Sequence, residues 1–146
     1  MEHLTTLTVR YAETDRMGFA HHSNHIVWWE LARTELLRAI GVPYSEMEST
    51  GVGCPVLEIH CRYRQPAYYE DQLVVRTHIA EMTPLRIRFA YVIVKAASGA
   101  LVASGESLHA FTDIASGRPL RLDRRHPELW QRLQSGGERY LAASEG

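Results

Sequence analysis

The stretch Leu7-Thr8-Val9-Arg10-Tyr11-Ala12-Glu13-Thr14-Asp15-Arg16-Met17-Gly18-Phe19-Ala20-His21-His22-Ser23-Asn24 decides the fold, because the spacing of apolar residues changes across it. Leu7, Val9 and Tyr11 alternate with Thr6, Thr8 and Arg10, which predicts a strand with one buried face leading to Glu13-Thr14-Asp15. Arg16 to Ser23 reads as a loop, with Gly18 permitting a turn. From about Asn24 to Ile40 the pattern is helical, with Ser23 or Asn24 as N-cap and Gly41-Val42-Pro43 as the stop signal. On a helical wheel Ile26, Trp29, Leu36, Leu37 and Ile40 share one arc, and Glu30, Thr34 and Arg38 form a narrow polar strip. The helix is therefore expected to be mostly enclosed. Arg33 falls inside the apolar arc three residues after Glu30, which predicts a partly buried ion pair, either within the helix or across a subunit contact.

Beyond the helix, four strand-like runs follow: Val56 to Gln65, Gln72 to Glu81, Leu85 to Ala96 and Leu101 to Thr112. The breaks at Met82-Thr83-Pro84 and Ser98-Gly99 are short enough for antiparallel hairpins. Around Ser104-Gly105 the alternation slips, which predicts a bulge or bend. His126 to Ala142 reads as a surface helix. The order β-α-β-β-β-β predicts an α+β fold, a curved antiparallel sheet around a largely apolar helix, as one domain over 1–146. One face of such a unit lacks cover and its long edge strands are a hazard, so a homo-oligomer is expected.

Composition narrows the function classes. A chain of 146 residues buries roughly two-thirds of its unfolded surface, enough for a core without staples. Sixteen basic and seventeen acidic residues leave a net charge of -1, which removes the bulk attraction that non-specific nucleic-acid binding uses. The opening residues show no basic segment followed by an apolar run, and no stretch approaches the roughly 20 apolar residues of a membrane span, so a cytoplasmic protein is expected. The two cysteines, Cys54 and Cys61, are too few for a disulfide framework and are expected to be reduced and packed.

No GxSxG elbow, Gly-rich phosphate loop or HExxH motif is present. His21 and His25 have metal-compatible spacing, but no nearby carboxylate or thiolate completes a set, so no metal is expected. Asp15 at a strand end, Gly18 in the turn and the helix start near His22-Ser23-Asn24 form a better constellation. Unpaired N–H groups and the positive dipole end of a helix can receive a developing oxyanion, while a carboxylate opposite attacks the carbonyl or activates a water. A thioester suits this sparse equipment, because its leaving thiol has a pKa near 8.5 and departs without strong acid assistance. The alternative reading of Asp15 is that it caps a turn.

The pattern Y-x-[DE]-T-D-x-x-G-x-x-x-H followed by E-x-x-R, here Tyr11, Glu13, Thr14, Asp15, Gly18, His22, Glu30 and Arg33, resembles the hotdog-fold thioesterases of the 4-hydroxybenzoyl-CoA thioesterase type. The likeness is greatest to the bacterial short acyl-CoA thioesterase branch and runs through Val56-Leu57-Glu58, Tyr63, Pro66 and Asp71 to about Phe111. The resemblance implies a curved sheet wrapping a central helix, paired subunits forming a dimer or a tetramer of dimers, and active sites at the subunit interface. It implies an acyl-CoA substrate, no bound cofactor, Asp15 as nucleophile or general base, and the backbone N–H of His22 as oxyanion donor. The His22 side chain is a second candidate catalytic group, Gly18 and Ser23 are candidate substrate contacts, and Arg86 is the arginine best placed for CoA phosphate. Two positions depart from the family pattern: Glu13 stands where Asp is usual, and His25 where Tyr is frequent.

Two other functions compete. A hotdog dehydratase needs proton transfers at two carbons, which Asp15 with a helix-end donor fits poorly. A non-catalytic acyl-CoA or acyl-carrier binding module would keep the pocket but have no use for the carboxylate.

Overall fold

The computed structural model describes residues 1–142 of the chain. Five strands form one antiparallel sheet: β1 (His3–Thr8), β3 (Val56–Tyr63), β4 (Gln72–Met82), β5 (Arg86–Lys95) and β6 (Leu101–Ala110), in the order β1-β4-β5-β6-β3. Two short strands, β2 (Val52–Gly53) and β7 (Thr112–Asp113), pair separately. The helix α1 (Asn24–Ala39) packs on the sheet with Trp28, Trp29, Ala32, Leu36 and Leu37 buried. Three shorter helices complete the described chain: α2 (Tyr44–Ser49), α3 (Leu122–Arg125) and α4 (Pro127–Gly137). This is the expected α+β layout, with β-α-β-β-β-β carrying the core.

The first strand differs from its sequence reading. It begins at His3 and ends at Thr8, and Tyr11–Glu13 form a 3-10 turn. Tyr11 is therefore 76% exposed instead of continuing the buried face. The cause is local: the Glu13 side chain turns back to accept the Arg10 backbone N–H at 2.7 Å, which closes a turn where alternation alone predicts extension. The helix over His126 to Ala142 is also shorter than expected, ending at Gly137 before a 3-10 turn at Glu138–Tyr140, and it buries Leu129 and Leu133.

The sheet irregularity near Ser104-Gly105 falls slightly earlier than expected. Ile93 pairs with Ala103 and Val94 with Leu101, so Val102 is the extra residue on β6. Gly105 has a separate reason for being glycine. A Cβ there would lie 2.6 Å from the Trp29 ring and would collide with the His60 carbonyl on β3. The Trp29 ring stacks on Tyr91 of β5 at 4.6 Å with planes 4° apart. The bare backbone of Gly105 is what lets this helix-to-sheet contact close.

Beneath α1 a chain of buried polar groups crosses the sheet. Tyr91 donates its hydroxyl to Ser107 Oγ at 2.6 Å, Ser107 donates to His109 Nε2 at 2.8 Å, and His109 Nδ1–H donates to the Cys54 carbonyl at 3.1 Å. This assignment of donors satisfies every member. Burial, reinforced by the positive charge of Arg33, pushes the pKa of His109 down to about 4, so the ring is neutral at physiological pH.

Two surfaces stay open. β3 is an edge strand exposed along both faces, with Val56, Leu57 and Tyr63 43 to 49% exposed. The helix is less enclosed than its wheel suggests, since Val27 and Leu31 stand out beside Glu30. Replacing Gly105 with Ala is expected to lower unfolding stability by about 2 kcal/mol through forced movement of both the β3 backbone at His60 and the Trp29 ring, measurable by urea unfolding. An Ala variant as stable as wild type would show that this contact relaxes freely.

Candidate active site

The loop between β1 and α1 is built on hydrogen bonds from one residue. Glu13 is 5% exposed, yet its carboxylate is fully engaged: Oε1 accepts the Arg10 N–H, Oε2 accepts the Trp28 indole N–H at 2.7 Å, and the Arg10 guanidinium lies at 3.5 Å. Its backbone carbonyl accepts the His21 N–H and an Asn24 side-chain N–H, each at 2.8 Å. Strand exit, loop end and helix start are thereby tied at a single point. The short bridge Thr14 to Ala20, and the Ala20 N–H donated to the Ala67 carbonyl, fasten the rest of the loop.

Within that frame Asp15 opens a tight turn. Its carbonyl accepts the Gly18 N–H at 3.0 Å and its N–H reaches the Phe19 carbonyl at 3.1 Å. Gly18 sits at φ +89°, in the left-handed region, so its role in the structure is to turn the chain. Asp15 Oδ1 accepts the Met17 N–H at 2.8 Å, while Oδ2 has no partner among the described residues. One oxygen is fixed and the other is free.

Asp15 and His22 line the same cleft of 310 Å³, with Met17, Phe19, His25, Tyr63 and Arg64 among the other walls. Ser23 occupies the N-cap position but does not cap: its hydroxyl lies 2.8 Å from His21 Nδ1. The His22 N–H has no acceptor among the described residues, whereas the neighbouring Ser23 N–H is taken by His21 Nδ1 at 3.2 Å. The His22 carbonyl is held twice, by the Tyr63 hydroxyl at 2.6 Å and by His25 Nδ1 at 3.2 Å. His25 is buried against Trp28 and Tyr63, with ring centroids 4.8 Å away in both cases, and desolvation lowers its pKa, favouring the neutral ring. Having donated from Nδ1, it is left with an unprotonated Nε2.

Of the residues singled out from sequence, Asp15 and His22 meet at the cleft. Gly18 and Ser23 shape its loop without lining it, and Arg86 is exposed at the start of β5, outside the cleft of this chain. Glu30 and Arg33 make no ion pair within the chain among the described residues, which removes the intrahelical form of that expectation. Sequence reasoning passed over Glu13 as a structural anchor and His25 and Tyr63 as clamps on the His22 carbonyl. The indole of Trp28 that donates to Glu13 carries no sequence signal that separates donation from packing. No group of three or more His, Cys, Asp or Glu side chains converges as a metal site among the described residues.

A five-stranded antiparallel sheet packed on one long central helix is the hotdog architecture. Residues 9–133 match the family model of the thioesterase-like superfamily, and the chain belongs to that family. It is 37% identical to the Bacillus subtilis protein YneP, provisionally named an acyl-CoA thioesterase, over 84% of this chain and 88% of that one. Among solved structures, a DHNA-CoA thioesterase from Staphylococcus aureus superposes with a TM-score of 0.85 at 29% identity, covering 94% of each chain. A Thermus thermophilus protein of unassigned function, TT1821, superposes with a TM-score of 0.82 at 33% identity over 92% of this chain and 97% of its own.

Replacing Glu13 with Ala leaves the buried indole N–H of Trp28 and the Arg10 N–H unpaired and is expected to cost about 2 to 4 kcal/mol of stability. The Trp28 indole proton resonance should move upfield and its exchange with solvent accelerate. An unchanged resonance would remove Glu13 from its anchoring role.

Proposed function

We propose that this chain is an acyl-CoA thioesterase in which Asp15 is the catalytic carboxylate and the His22 backbone N–H receives the oxyanion. The observation that carries the proposal is the pairing of a free Asp15 Oδ2 with an unpartnered His22 N–H on one cleft. The names of the YneP protein and the S. aureus enzyme support the substrate class, a CoA thioester hydrolysed to a free acid and CoA.

In this reading the thioester carbonyl oxygen points at the His22 N–H. The Asp15 carboxylate either adds to the carbonyl carbon, expelling the CoA thiolate and leaving a mixed anhydride that water then opens, or takes a proton from a water that adds directly. Negative charge on the carbonyl oxygen is met by a donor that is already oriented, because Tyr63 and His25 fix the adjoining peptide. Burial disfavours the charged form of His25, so its ring adds no positive charge beside the cleft.

Thiol release from a panel of acyl-CoAs, aromatic through long-chain, is expected for wild type and is expected to fall roughly 10³-fold in Asp15→Asn. Wild type that binds acyl-CoA without releasing thiol would instead identify a binding module.

The functional unit in this proposal is a homo-oligomer built through the β3 edge, which presents unpaired backbone groups and exposed Val56, Leu57 and Ile59. Joining two copies there would extend the sheet and cover that apolar edge. Light scattering is expected to report a dimer or tetramer for wild type and monomer for the double variant Leu57→Asp, Ile59→Asp. A monomeric wild type at micromolar concentration would rule the assembly out.

A further inference from the structure

A second cavity, of 240 Å³, lies against the middle of α1 and shares no lining residue with the Asp15 cleft. Its walls include Arg33 and Leu37 from the helix, Tyr44, Cys54, Phe89 and His109, with Glu30 at its exposed margin. Arg33 is the anomaly. Its Nη1 is fully buried and donates to nothing among the described residues, and no carboxylate lies within ion-pair distance of it there. The exposed guanidinium-to-carboxylate pairs elsewhere, such as Arg132 with Glu46, show how the surface arginines are met. Arg33 is instead half-buried with no counter-charge among the described residues, an expensive arrangement.

The groups around it do not supply that charge. His109 is neutral. Burial holds the Cys54 thiol up to about 12, and burial likewise raises the phenols of Tyr44 and Tyr91, so all three remain uncharged although Arg33 pulls each of them the other way. Glu30 is the one acid in the lining, and it faces solvent. The cavity thus combines an unneutralised planar cation with apolar walls from Leu37, Phe89 and the Tyr44 ring. A small anion with only polar surface would leave those walls wet, and a neutral apolar molecule would leave Arg33 unpaired. Room for roughly eight waters at ~30 Å³ each corresponds to a single ring or short chain with one head group.

We propose that this cavity is a binding site for a compact organic carboxylate, its head group paired with Arg33 and its apolar body lying against Phe89 and Leu37. A planar guanidinium fork matches a carboxylate in shape as well as charge. The site stands on Arg33 and its surroundings alone, so it does not depend on the catalytic reading of Asp15.

The test is calorimetric titration of the full chain with benzoate, benzamide and acetate. Benzoate is expected to bind at least tenfold more tightly than either of the others, since a charge-assisted pair and apolar contact are each worth about a factor of ten. Arg33→Met should lose benzoate binding by tenfold or more while melting no lower than wild type, because it removes an uncompensated charge. Arg33→Lys, which keeps the charge without the fork, should be intermediate and decides the matter if the Met variant does not fold. Glu30→Gln should tighten binding by removing a like charge, and Asp15→Asn should leave it unchanged. Equal affinity for benzamide, or benzoate binding indifferent to Arg33, would overturn the proposal. So would wild type that binds none of the three while Arg33→Met dissociates the oligomer, an outcome that would assign Arg33 to a subunit contact.

Discussion

Much of this molecule hangs on the burial of one carboxylate. Glu13 is withdrawn from water, and a carboxylate so placed is tolerable only when its lone pairs are taken by donors. The donors it takes are the indole of α1 and the backbone just after β1, and its own carbonyl takes one more from the loop end at His21 and one from the helix start at Asn24. Hydrogen bonds to an ionised group are roughly twice as strong as neutral ones, and here they connect segments that would otherwise meet only through side-chain packing. The relative placement of Asp15 and His22 follows from this junction. Neither residue touches Glu13 through its side chain, yet each lies within a few residues of an atom that Glu13 holds.

The second constraint lies at the very next residue of α1. Trp29 is stacked on Tyr91 and fits only because Gly105 carries no side chain, so the helix cannot slide or roll without breaking that stack. Glu13 fixes the helix start against the loop, and Trp29 fixes the helix body against the sheet. The two contacts come from adjacent residues, Trp28 and Trp29, which face different partners because successive helical positions are 100° apart.

The elements with strong periodicity were readable from the chain: the helix from Asn24, the later strands and their hairpins, and the antiparallel order. Asp15 beside a helix start was readable too, since a strand end, a Gly turn and an N-cap signal stand in close succession. What alternation could not reveal was where β1 stops, because a side chain folding back on its own backbone at Glu13 overrides the pattern without altering it. Nor could it separate Trp28 from the general apolar face, since an indole that packs and an indole that donates look alike in a sequence. The helix wheel placed Arg33 inside the apolar arc correctly. It offered Glu30 as a partner within the helix or across a subunit contact, and the intrahelical pair does not form among the described residues. Val27 and Leu31, apolar and open, were hidden in the same way, because a wheel cannot say how much of a helix the rest of the chain covers.

The division of labour around the Asp15 loop has an evolutionary consequence. Glu13, Asn24 and Trp28, whose side chains hold the loop, are absent from the cleft walls, whereas Met17, Phe19 and Arg64 line the cleft and make no side-chain hydrogen bond to the loop among the described residues. Met17 in particular is 73% exposed and supports nothing behind it. Its side chain can drift through many alternatives while the backbone N–H it lends to Asp15 stays where it is. The scaffold is therefore robust at its anchors and permissive at its rim, so new molecular shapes can be explored at the entrance without first rebuilding the fold.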